Sequence, residues 1–267
     1  PAAAPPALPA GDTQPEALVH APLRPAAPAE ETKQTLEPKT AQTAALAPPK
    51  SGAQTASPKA EGPKAAPRAI AVVGDSLAVG IGMTMEQRLH NLHEGVGCIP
   101  LGKVSTGLIS KKKFDWEKRL SELVATEKLT AVVVMMGGND ANNSLAGKPA
   151  GTPEWGEAYR HKVEDFLRIA GQAGVKVFWV GLPAMRDPAY ETRVRAVNDA
   201  ARNACSTVAG CTYLAPSDIF TDASGHYIQS RDINGKTVSL RGRDGVHMTM
   251  TGYDLLCGQV LDKLAKS

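Results

Sequence analysis

The most constraining feature of this sequence is a regular alternation of short β-branched runs with longer amphipathic stretches, which begins at Ala69. The apolar runs predict strands at 69–74, 101–105, 130–136, 175–181 and 211–215. The stretches with helical spacing of apolar residues predict helices at 78–92, 114–127, 154–173, 188–208 and 249–265. Strands that alternate with helices build a parallel sheet covered on both faces, so we expect an α/β fold.

A two-residue turn near the carboxyl end interrupts this alternation. Asn234-Gly235 lies between two short alternating segments, 226–230 and 237–241. Both turn residues tolerate positive φ, so the pattern predicts a β-hairpin. We expect this hairpin to be an insertion just before the last helix, which Thr249 is placed to cap.

Composition restricts the folded part of the chain to residues 68–267. Residues 1–67 hold fourteen of the twenty prolines, many alanines and no Phe, Trp or Tyr. Such a segment has too little apolar surface to offset the entropy of ordering. Its six basic and six acidic residues balance, which argues against a charged interaction tail. We therefore interpret residues 1–67 as a disordered Ala/Pro-rich tether and residues 68–267 as one domain.

Charge and hydropathy argue against two classes of protein. The net charge of +3 is small and scattered, and no stripe of interleaved basic and aromatic residues suggests nucleic-acid binding. Even the apolar run from Leu129 to Met136 is too short to cross a bilayer and is typical of a buried strand. Because the sequence begins at Pro1 rather than Met, we expect that a signal peptide or membrane anchor was removed, as in an exported or periplasmic protein.

The cysteines leave two interpretations open. Cys98, Cys205, Cys211 and Cys257 do not have the spacing of a zinc site or a redox dithiol. Their even number fits disulfides in an oxidising compartment, with Cys205 bonded to Cys211 and Cys98 to Cys257. Four buried free thiols are the alternative. No metal or other cofactor is expected.

The segment Ala69 through Leu77 is an apolar strand that ends in the polar tetrad Gly74-Asp75-Ser76-Leu77 and leads into a helix. Ligands of open α/β sheets bind at the carboxyl edge of the strands, where the next helix presents unpaired N–H groups. Ser76 is therefore a candidate nucleophile that also donates its own N–H. The alternative is that Asp75 and Ser76 only cap the helix.

A second segment, Asp244-Gly245-Val246-His247, supplies what a nucleophilic serine requires. A serine hydroxyl needs a base, and the base needs a group that fixes its tautomer. His247 would take the proton of Ser76, and Asp244 would hold the imidazole. Alone, a histidine near an aspartate in a loop is usually a surface pair, so this interpretation depends on the first segment.

Two further strands end in small and polar residues. Met135 and Met136 lead into Gly137-Gly138-Asn139-Asp140, and Asn139 is a candidate donor of its side-chain amide to an oxyanion. Gly107, in a loop that follows the second strand, is a candidate donor of a backbone N–H to the same point, since glycine permits close approach. Taken singly, each of these segments is a common turn.

Together these segments resemble the SGNH (GDSL) hydrolases over about Ala69 to Lys266. The four blocks of that family occur here in order, as Gly74-Asp75-Ser76-Leu77, Gly107, Gly137-Gly138-Asn139-Asp140 and Asp244 through His247. Within the family, the chain is similar to a bacterial periplasmic branch with a domain of unknown function, whose first block follows a Pro-rich tether. The resemblance implies a flavodoxin-like, three-layer α/β/α fold with a five-stranded parallel sheet. It also implies an acyl-enzyme on Ser76, no metal, and an oxyanion hole made of Ser76 N–H, Gly107 N–H and Asn139.

The resemblance indicates ester chemistry but leaves the substrate open. We expect an esterase that removes O-acyl groups, such as O-acetyl, from an envelope carbohydrate. The alternatives are an O-acyltransferase on a periplasmic glycan or peptidoglycan, and a non-catalytic glycan-binding or scaffold domain that joins an envelope complex through the tether.

Candidate substrate contacts are Asp75, Asp140 and Arg186, which all follow predicted strands, although Arg186 could instead pair with Asp187. Four aromatic residues could stack on sugars, or belong to the core as such residues more often do: Trp116, Trp155, Tyr159 and Tyr227.

Overall fold

The computed structural model describes residues 68–92 and 95–267, so the predicted tether at 1–67 lies outside the described residues. The main sheet contains β1 (Arg68–Gly74), β2 (Val96–Gly102), β3 (Leu129–Met135), β4 (Lys176–Val180) and β5 (Cys211–Leu214). The helices are α1 (Ser76–Leu92), α2 (Trp116–Thr126), α3 (Pro153–Gln172), α4 (Pro188–Thr207) and α5 (Met250–Leu264). A separate two-stranded sheet consists of β6 (Ser230–Ile233) and β7 (Lys236–Ser239).

The main sheet has the strand order β2-β1-β3-β4-β5, and every neighbouring pair is parallel. This confirms the predicted α/β fold with a five-stranded parallel sheet of flavodoxin-like order. Gly74, at the end of β1, is paired with Gly102 on one side and Met135 on the other. The three strands β2, β1 and β3 therefore end level with one another. The loops that follow them meet at one edge of the sheet, beside the point where the strand order reverses.

The central strands are apolar along their whole length. Val72, Val73 and the residues 132–134 have no measurable exposure, which is typical of a parallel sheet buried on both faces. Two groups of helices provide this burial: α1 packs against α5, while α3 packs against both α2 and α4. Within the described residues, no helix has the length and apolar composition needed to span a bilayer.

Two predicted strands are displaced in the structure. The second strand runs over Val96–Gly102 rather than 101–105, and it tolerates Pro100 because β2 is an edge strand that need not donate every N–H. The first hairpin strand is Ser230–Ile233 rather than 226–230, because Ile233 must pair with Lys236 across the two-residue turn. The turn itself is at Asn234-Gly235 as predicted, with φ values of +54° and +75°. Thr249 caps α5 by accepting the N–H of Gly252 at 3.2 Å.

One of the two predicted disulfides is present. Cys205 is bonded to Cys211, with their Cα atoms 5.0 Å apart. The predicted Cys98–Cys257 pair is not formed, since both residues are free cysteines. Cys98 Sγ lies 3.8 Å from the Gly82 carbonyl oxygen of α1, and Cys257 is buried in α5.

The contact between α1 and α5 predicts opposite effects for two helical glycines. A Cβ atom at Gly80 in α1 would lie 2.3 Å from the buried ring of Tyr253 in α5, whereas a Cβ atom at Gly156 in α3 meets nothing within 4 Å. Both Gly→Ala changes gain helix propensity, about 0.5–1 kcal/mol. We expect Gly156→Ala to raise the free energy of unfolding by about that amount and Gly80→Ala to lower it by about 1–3 kcal/mol through overpacking. Urea denaturation of the two variants measures the difference, and equal stabilisation by both would contradict this packing.

Candidate active site

Ser76 lies in a tight turn between β1 and α1, of which it is the first residue. Gly74 makes this turn possible. Its φ is +149°, and a Cβ atom there would lie 1.9 Å from the carbonyl oxygen of Met135. Only glycine can bring the end of β1 so close to the end of β3. The side chain of Ser76 is consequently half-buried at the carboxyl edge of the sheet.

The partners of Ser76 come from one short loop between β7 and α5. His247 Nε2 lies 2.7 Å from Ser76 Oγ, and His247 Nδ1 lies 2.6 Å from Asp244 Oδ2. The other carboxylate oxygen of Asp244 accepts the backbone N–H groups of Val246 and His247 at 2.9 and 3.0 Å. Gly245 lets the loop turn back, with a φ of +76°. The structure thus brings Ser76, His247 and Asp244 together in one chain of hydrogen bonds, the arrangement of a catalytic triad.

The hydrogen bonds to Asp244 also determine the tautomer of His247. Partial burial raises the pKa of Asp244, but the hydrogen bonds from the His247 ring and from the N–H groups of Val246 and His247 outweigh it and lower the pKa to about 2. An ionised carboxylate can only accept hydrogen bonds, so Nδ1 of His247 carries the ring proton. Nε2 is therefore left to accept the hydroxyl proton of Ser76, as a general base must.

The candidate oxyanion donors lie on neighbouring loops. Gly107 follows β2, Ser76 follows β1 and Asn139 follows β3, and these three strands are adjacent. In the described part of the chain, no acceptor is bonded to the N–H of Ser76 or of Gly107. The amide of Asn139 donates one N–H to the carbonyl oxygen of Thr106 at 2.9 Å and keeps a second N–H. That contact ties the Asn139 loop to the Gly107 loop.

Asp75 is not placed as a substrate contact. It is 1% exposed, and its carboxylate accepts the backbone N–H groups of Leu77, Gly137 and Gly138, each at 3.0 Å. These bonds fasten the turn that carries Ser76 to the loop that carries Asn139. Burial raises the pKa of Asp75 to about 6, even though the three N–H donors lower it. The prediction that Asp75 binds substrate is therefore corrected to a structural role inside the site.

Asp140 is likewise buried rather than open to a substrate. It has no measurable exposure and accepts the N–H groups of Leu108 and Ile109 at 2.9 and 3.1 Å and the hydroxyl of Tyr159 at 2.8 Å. A Cβ atom at Gly107 would lie 2.2 Å from its Oδ1. Glycine at position 107 is thus required by the close passage of this carboxylate, and Asp140 fixes the Gly107 loop rather than a ligand.

Arg186 does lie beside the candidate triad, and it is exposed. Its backbone N–H donates to the carbonyl oxygen of Gly245 at 3.2 Å, and its side chain packs against Gly245. The alternative pairing with Asp187 is not formed, because Asp187 caps α4 by accepting the N–H of Tyr190 at 2.6 Å. Arg186 also lines a cavity of about 690 Å³ together with Arg195, His226 and Tyr227.

The aromatic side chains are mostly structural. Trp116, Trp155 and Tyr159 are at most 2% exposed, so they belong to the core and cannot stack on a sugar. Tyr190 was not predicted to have a role, yet its hydroxyl donates to the carbonyl oxygen of Gly138 at 2.7 Å and supports the Asn139 loop. No sequence signal links Tyr190 to that loop, because the contact joins residues 52 positions apart. In the described ranges, no group of three or more His, Cys, Asp or Glu side chains could hold a metal ion.

A family profile described as "Protein of unknown function (DUF459)" matches residues 69–263. The chain belongs to this family. The match confirms the predicted likeness to a branch with a domain of unknown function. No curated protein sequence matches the chain at a significant level.

Solved structures share the fold at low sequence identity. LAE5, described as an α/β hydrolase enzyme from the metagenome of Lake Arreo in Spain, is 15% identical over 74% of this chain and 94% of its own, with a TM-score of 0.55. A protein assigned to the G-D-S-L family of lipolytic proteins, from Desulfitobacterium hafniense, is 14% identical over 73% and 97%, with a TM-score of 0.53. A protein assigned as an acylhydrolase, from Bacteroides fragilis, is 16% identical over 76% and 89%, with a TM-score of 0.52. These likenesses confirm the predicted SGNH hydrolase fold.

The buried carboxyl group of Asp75 predicts a pH dependence of stability. Its pKa is about 6 in the folded protein against an ordinary value of 3.8, so between these values the folded state binds more protons than the unfolded state. The contribution of protonated Asp75 to the free energy of unfolding is fully present below pH 3.8 and is lost as the pH rises through 6. Relative to Asp75→Asn, which cannot titrate, we expect the free energy of unfolding of the wild type to fall by about 2 kcal/mol between about pH 4 and pH 7.

Urea denaturation of both proteins across this pH range measures that difference. A variant at the exposed residue Asp262, Asp262→Asn, controls for the loss of a carboxyl group elsewhere on the domain. A constant difference between wild type and Asp75→Asn at all pH values would show that Asp75 does not titrate in this range.

Proposed function

We propose that this chain is a serine esterase that acts through an acyl-enzyme on Ser76. The observation that supports this most directly is the chain of hydrogen bonds from Ser76 Oγ to His247 Nε2 at 2.7 Å and from His247 Nδ1 to Asp244 Oδ2 at 2.6 Å. Helix-capping serines need no such base, whereas a nucleophilic serine does. The position of Ser76 at the carboxyl edge of a parallel sheet, where α/β proteins bind ligands, adds to this support.

Acylation begins when Ser76 Oγ attacks the ester carbonyl carbon. The hydroxyl proton passes to His247 Nε2, a bond forms between Oγ and the carbon, and the carbonyl electron pair moves onto oxygen. The N–H groups of Ser76 and Gly107 and the free amide N–H of Asn139 stabilise that oxyanion. The bond to the alcohol oxygen then breaks, and His247 gives its proton to the leaving alcohol.

Deacylation repeats these steps with water. His247 Nε2 takes a proton from the water molecule, whose oxygen attacks the acyl carbon on Ser76. The bond between the carbon and Oγ breaks, and the proton returns to Oγ, so the product is a free carboxylic acid. Throughout, ionised Asp244 stabilises the imidazolium of His247 and keeps its ring oriented.

We propose O-acyl groups, such as O-acetyl, of an envelope carbohydrate as the substrate class. The side chains of Asp244 and His247 are 49% and 41% exposed, so the reacting groups lie on an open surface rather than at the bottom of a narrow pocket. An open site of this kind can accept an ester carried by a polymer. The cavity of about 690 Å³ beside Arg186 offers room next to the triad for part of a glycan chain.

We also propose that the protein functions in an oxidising, exported compartment. The Cys205–Cys211 disulfide supports this, because such bonds persist outside the cytosol. Thiol titration of the denatured, non-reduced protein is expected to find two free thiols, from Cys98 and Cys257, and four after reduction. Four free thiols before reduction would remove this support for export.

The nucleophile assignment predicts the behaviour of a serine-specific probe. We expect a fluorophosphonate to label the wild type and Ser121→Ala, a control at an exposed serine of α2, but not Ser76→Ala. Hydrolysis of p-nitrophenyl acetate should fall to background in Ser76→Ala and by about 10²–10³-fold in Asn139→Ala, which removes an oxyanion donor. Equal labelling of wild type and Ser76→Ala would rule out Ser76 as the nucleophile.

The same proteins identify the second nucleophile. Incubation with an O-acetylated glycan, with and without a sugar acceptor, is followed by mass spectrometry. Release of free acetate in both conditions supports an esterase, whereas an acylated acceptor would make the protein a transferase. Binding of the glycan with neither labelling nor turnover would instead favour a non-catalytic glycan-binding domain.

A further inference from the structure

Arg241 is a buried cation immediately before the loop that carries Asp244 and His247. It has no exposed surface, and it forms an antiparallel bridge with Met248 that closes the loop at its base. The N–H of Gly242 donates to the carbonyl oxygen of His247 at 2.8 Å across the same base. Arginine is among the residues least often buried. Arg241 is nevertheless buried here, and the proposed function gives it no chemical role.

The guanidinium group of Arg241 contacts the catalytic loop through its carbonyl oxygens. It donates to Val246 at 2.9 Å and makes longer contacts with the carbonyl oxygens of His247 at 3.4 Å and Gly245 at 3.5 Å. A further N–H donates to the carbonyl oxygen of Ala184 at 2.6 Å, in the loop that follows β4. One side chain therefore joins the catalytic loop to the body of the sheet.

Within the described residues, no carboxylate forms an ion pair with Arg241, and Asp244 and Glu191 act on its charge only from a longer distance. Two aromatic rings instead lie beside the guanidinium, with Tyr227 centred 4.8 Å and Phe220 5.5 Å from Cζ. Burial lowers the pKa of Arg241, yet arginine stays charged under ordinary conditions. Burying a charge without a counter-ion in direct contact is costly, so the retention of arginine here points to the backbone contacts that it makes.

The catalytic loop is held between two side chains of opposite charge. Asp244 accepts the N–H groups of Val246 and His247, while Arg241 faces the carbonyl oxygens of the same stretch of backbone. We propose that Arg241 is a positioning residue, which keeps His247 in line with Ser76 by fixing the carbonyl side of this loop. The inference rests on the proposed function of Ser76 and assigns Arg241 no contact with the substrate.

Lysine cannot replace arginine in this position. A guanidinium presents five N–H donors in a rigid plane, so it can reach Ala184 and Val246 in different directions while aromatic rings lie beside it. An ammonium group has three donors around one point and no flat face. Arg241→Lys therefore keeps the positive charge but loses the planar set of N–H donors. This variant distinguishes an effect of hydrogen-bond geometry from an effect of charge.

Arg231 offers a matched control. It also donates to three backbone carbonyl oxygens, those of Asp218, Ile219 and Thr221, at 2.7, 3.1 and 2.5 Å. This stretch surrounds Phe220 but contains no residue of the catalytic loop. Arg231→Lys should thus cause a comparable structural disturbance next to a ring that lies beside Arg241 and leave the triad in place.

The first measurement is the rate at which a fluorophosphonate labels Ser76 in the wild type, Arg241→Lys and Arg231→Lys. All are measured at a temperature where circular dichroism shows each protein folded. We expect Arg241→Lys to lose about 10²-fold in labelling rate and in kcat, with little change in KM, because a small displacement of a reacting group has an effect of this size. Arg231→Lys should lower Tm without changing the rate.

The second measurement does not depend on activity. The ¹⁵N shifts of the His247 ring, assigned by their loss in His247→Gln, report which nitrogen carries the proton. Wild type and Arg231→Lys are expected to carry it on Nδ1, and Arg241→Lys to show a mixture of tautomers. If Arg241→Lys does not fold, Tyr227→Leu, which removes one of the two rings beside the guanidinium, should show the same changes to a smaller extent.

The outcomes distinguish this inference from the proposed function. An unchanged labelling rate and tautomer in Arg241→Lys, or in Tyr227→Leu where it replaces that variant, would overturn the positioning role. An equal loss of rate in Arg231→Lys would do the same, since the effect would then be general destabilisation. If the wild type is not labelled at all, the proposed function fails, and the ¹⁵N shifts still decide whether Arg241 orients His247.

Discussion

The buried carboxylate of Asp75 accepts three backbone N–H groups from two different loops, and the geometry around Ser76 depends on it. A buried carboxylate is tolerated only when its oxygens are hydrogen-bonded, so the turn after β1 and the loop after β3 cannot move apart without leaving it unsatisfied. Asp140 acts in the same way between the loops after β3 and β2, with the hydroxyl of Tyr159 as a third donor. The three candidate oxyanion donors are thereby fixed by two carboxylates that never meet a substrate.

Charged side chains also hold the backbone of the loop between β7 and α5. Here one of them is an anion and the other is a cation. Its N–H groups are bound by Asp244 and its carbonyl oxygens face Arg241. Backbone at a sheet edge lacks the hydrogen bonds of a regular element, and side chains have to satisfy it. Each functional loop of this domain thus has a charged residue as its anchor, and in the case of Asp244 the anchor also orients the candidate base.

The sequence predicted the positions that follow directly from strand order. The placement of Ser76, Gly107 and Asn139 after three adjacent strands could be predicted, because small and polar residues after apolar strands fall at the carboxyl edge of a parallel sheet. The roles of Asp75 and Asp140 were wrong, because an aspartate after a strand has the same pattern whether its carboxylate faces solvent or backbone N–H groups. No contact of Arg241 could be predicted, since its partner Ala184 lies 57 residues away and contributes only a carbonyl oxygen.

The proposed mechanism does not select among the alcohols that can carry the acyl group. Discrimination among esters therefore has to come from surfaces beside the triad. One such surface is the cavity lined by Arg186, Arg195 and Tyr227, because Arg186 packs against Gly245 of the loop that carries Asp244 and His247. Ala184 belongs to that cavity and also receives the shortest hydrogen bond of Arg241. A residue that lines this cavity is therefore hydrogen-bonded to the side chain that we propose to position His247.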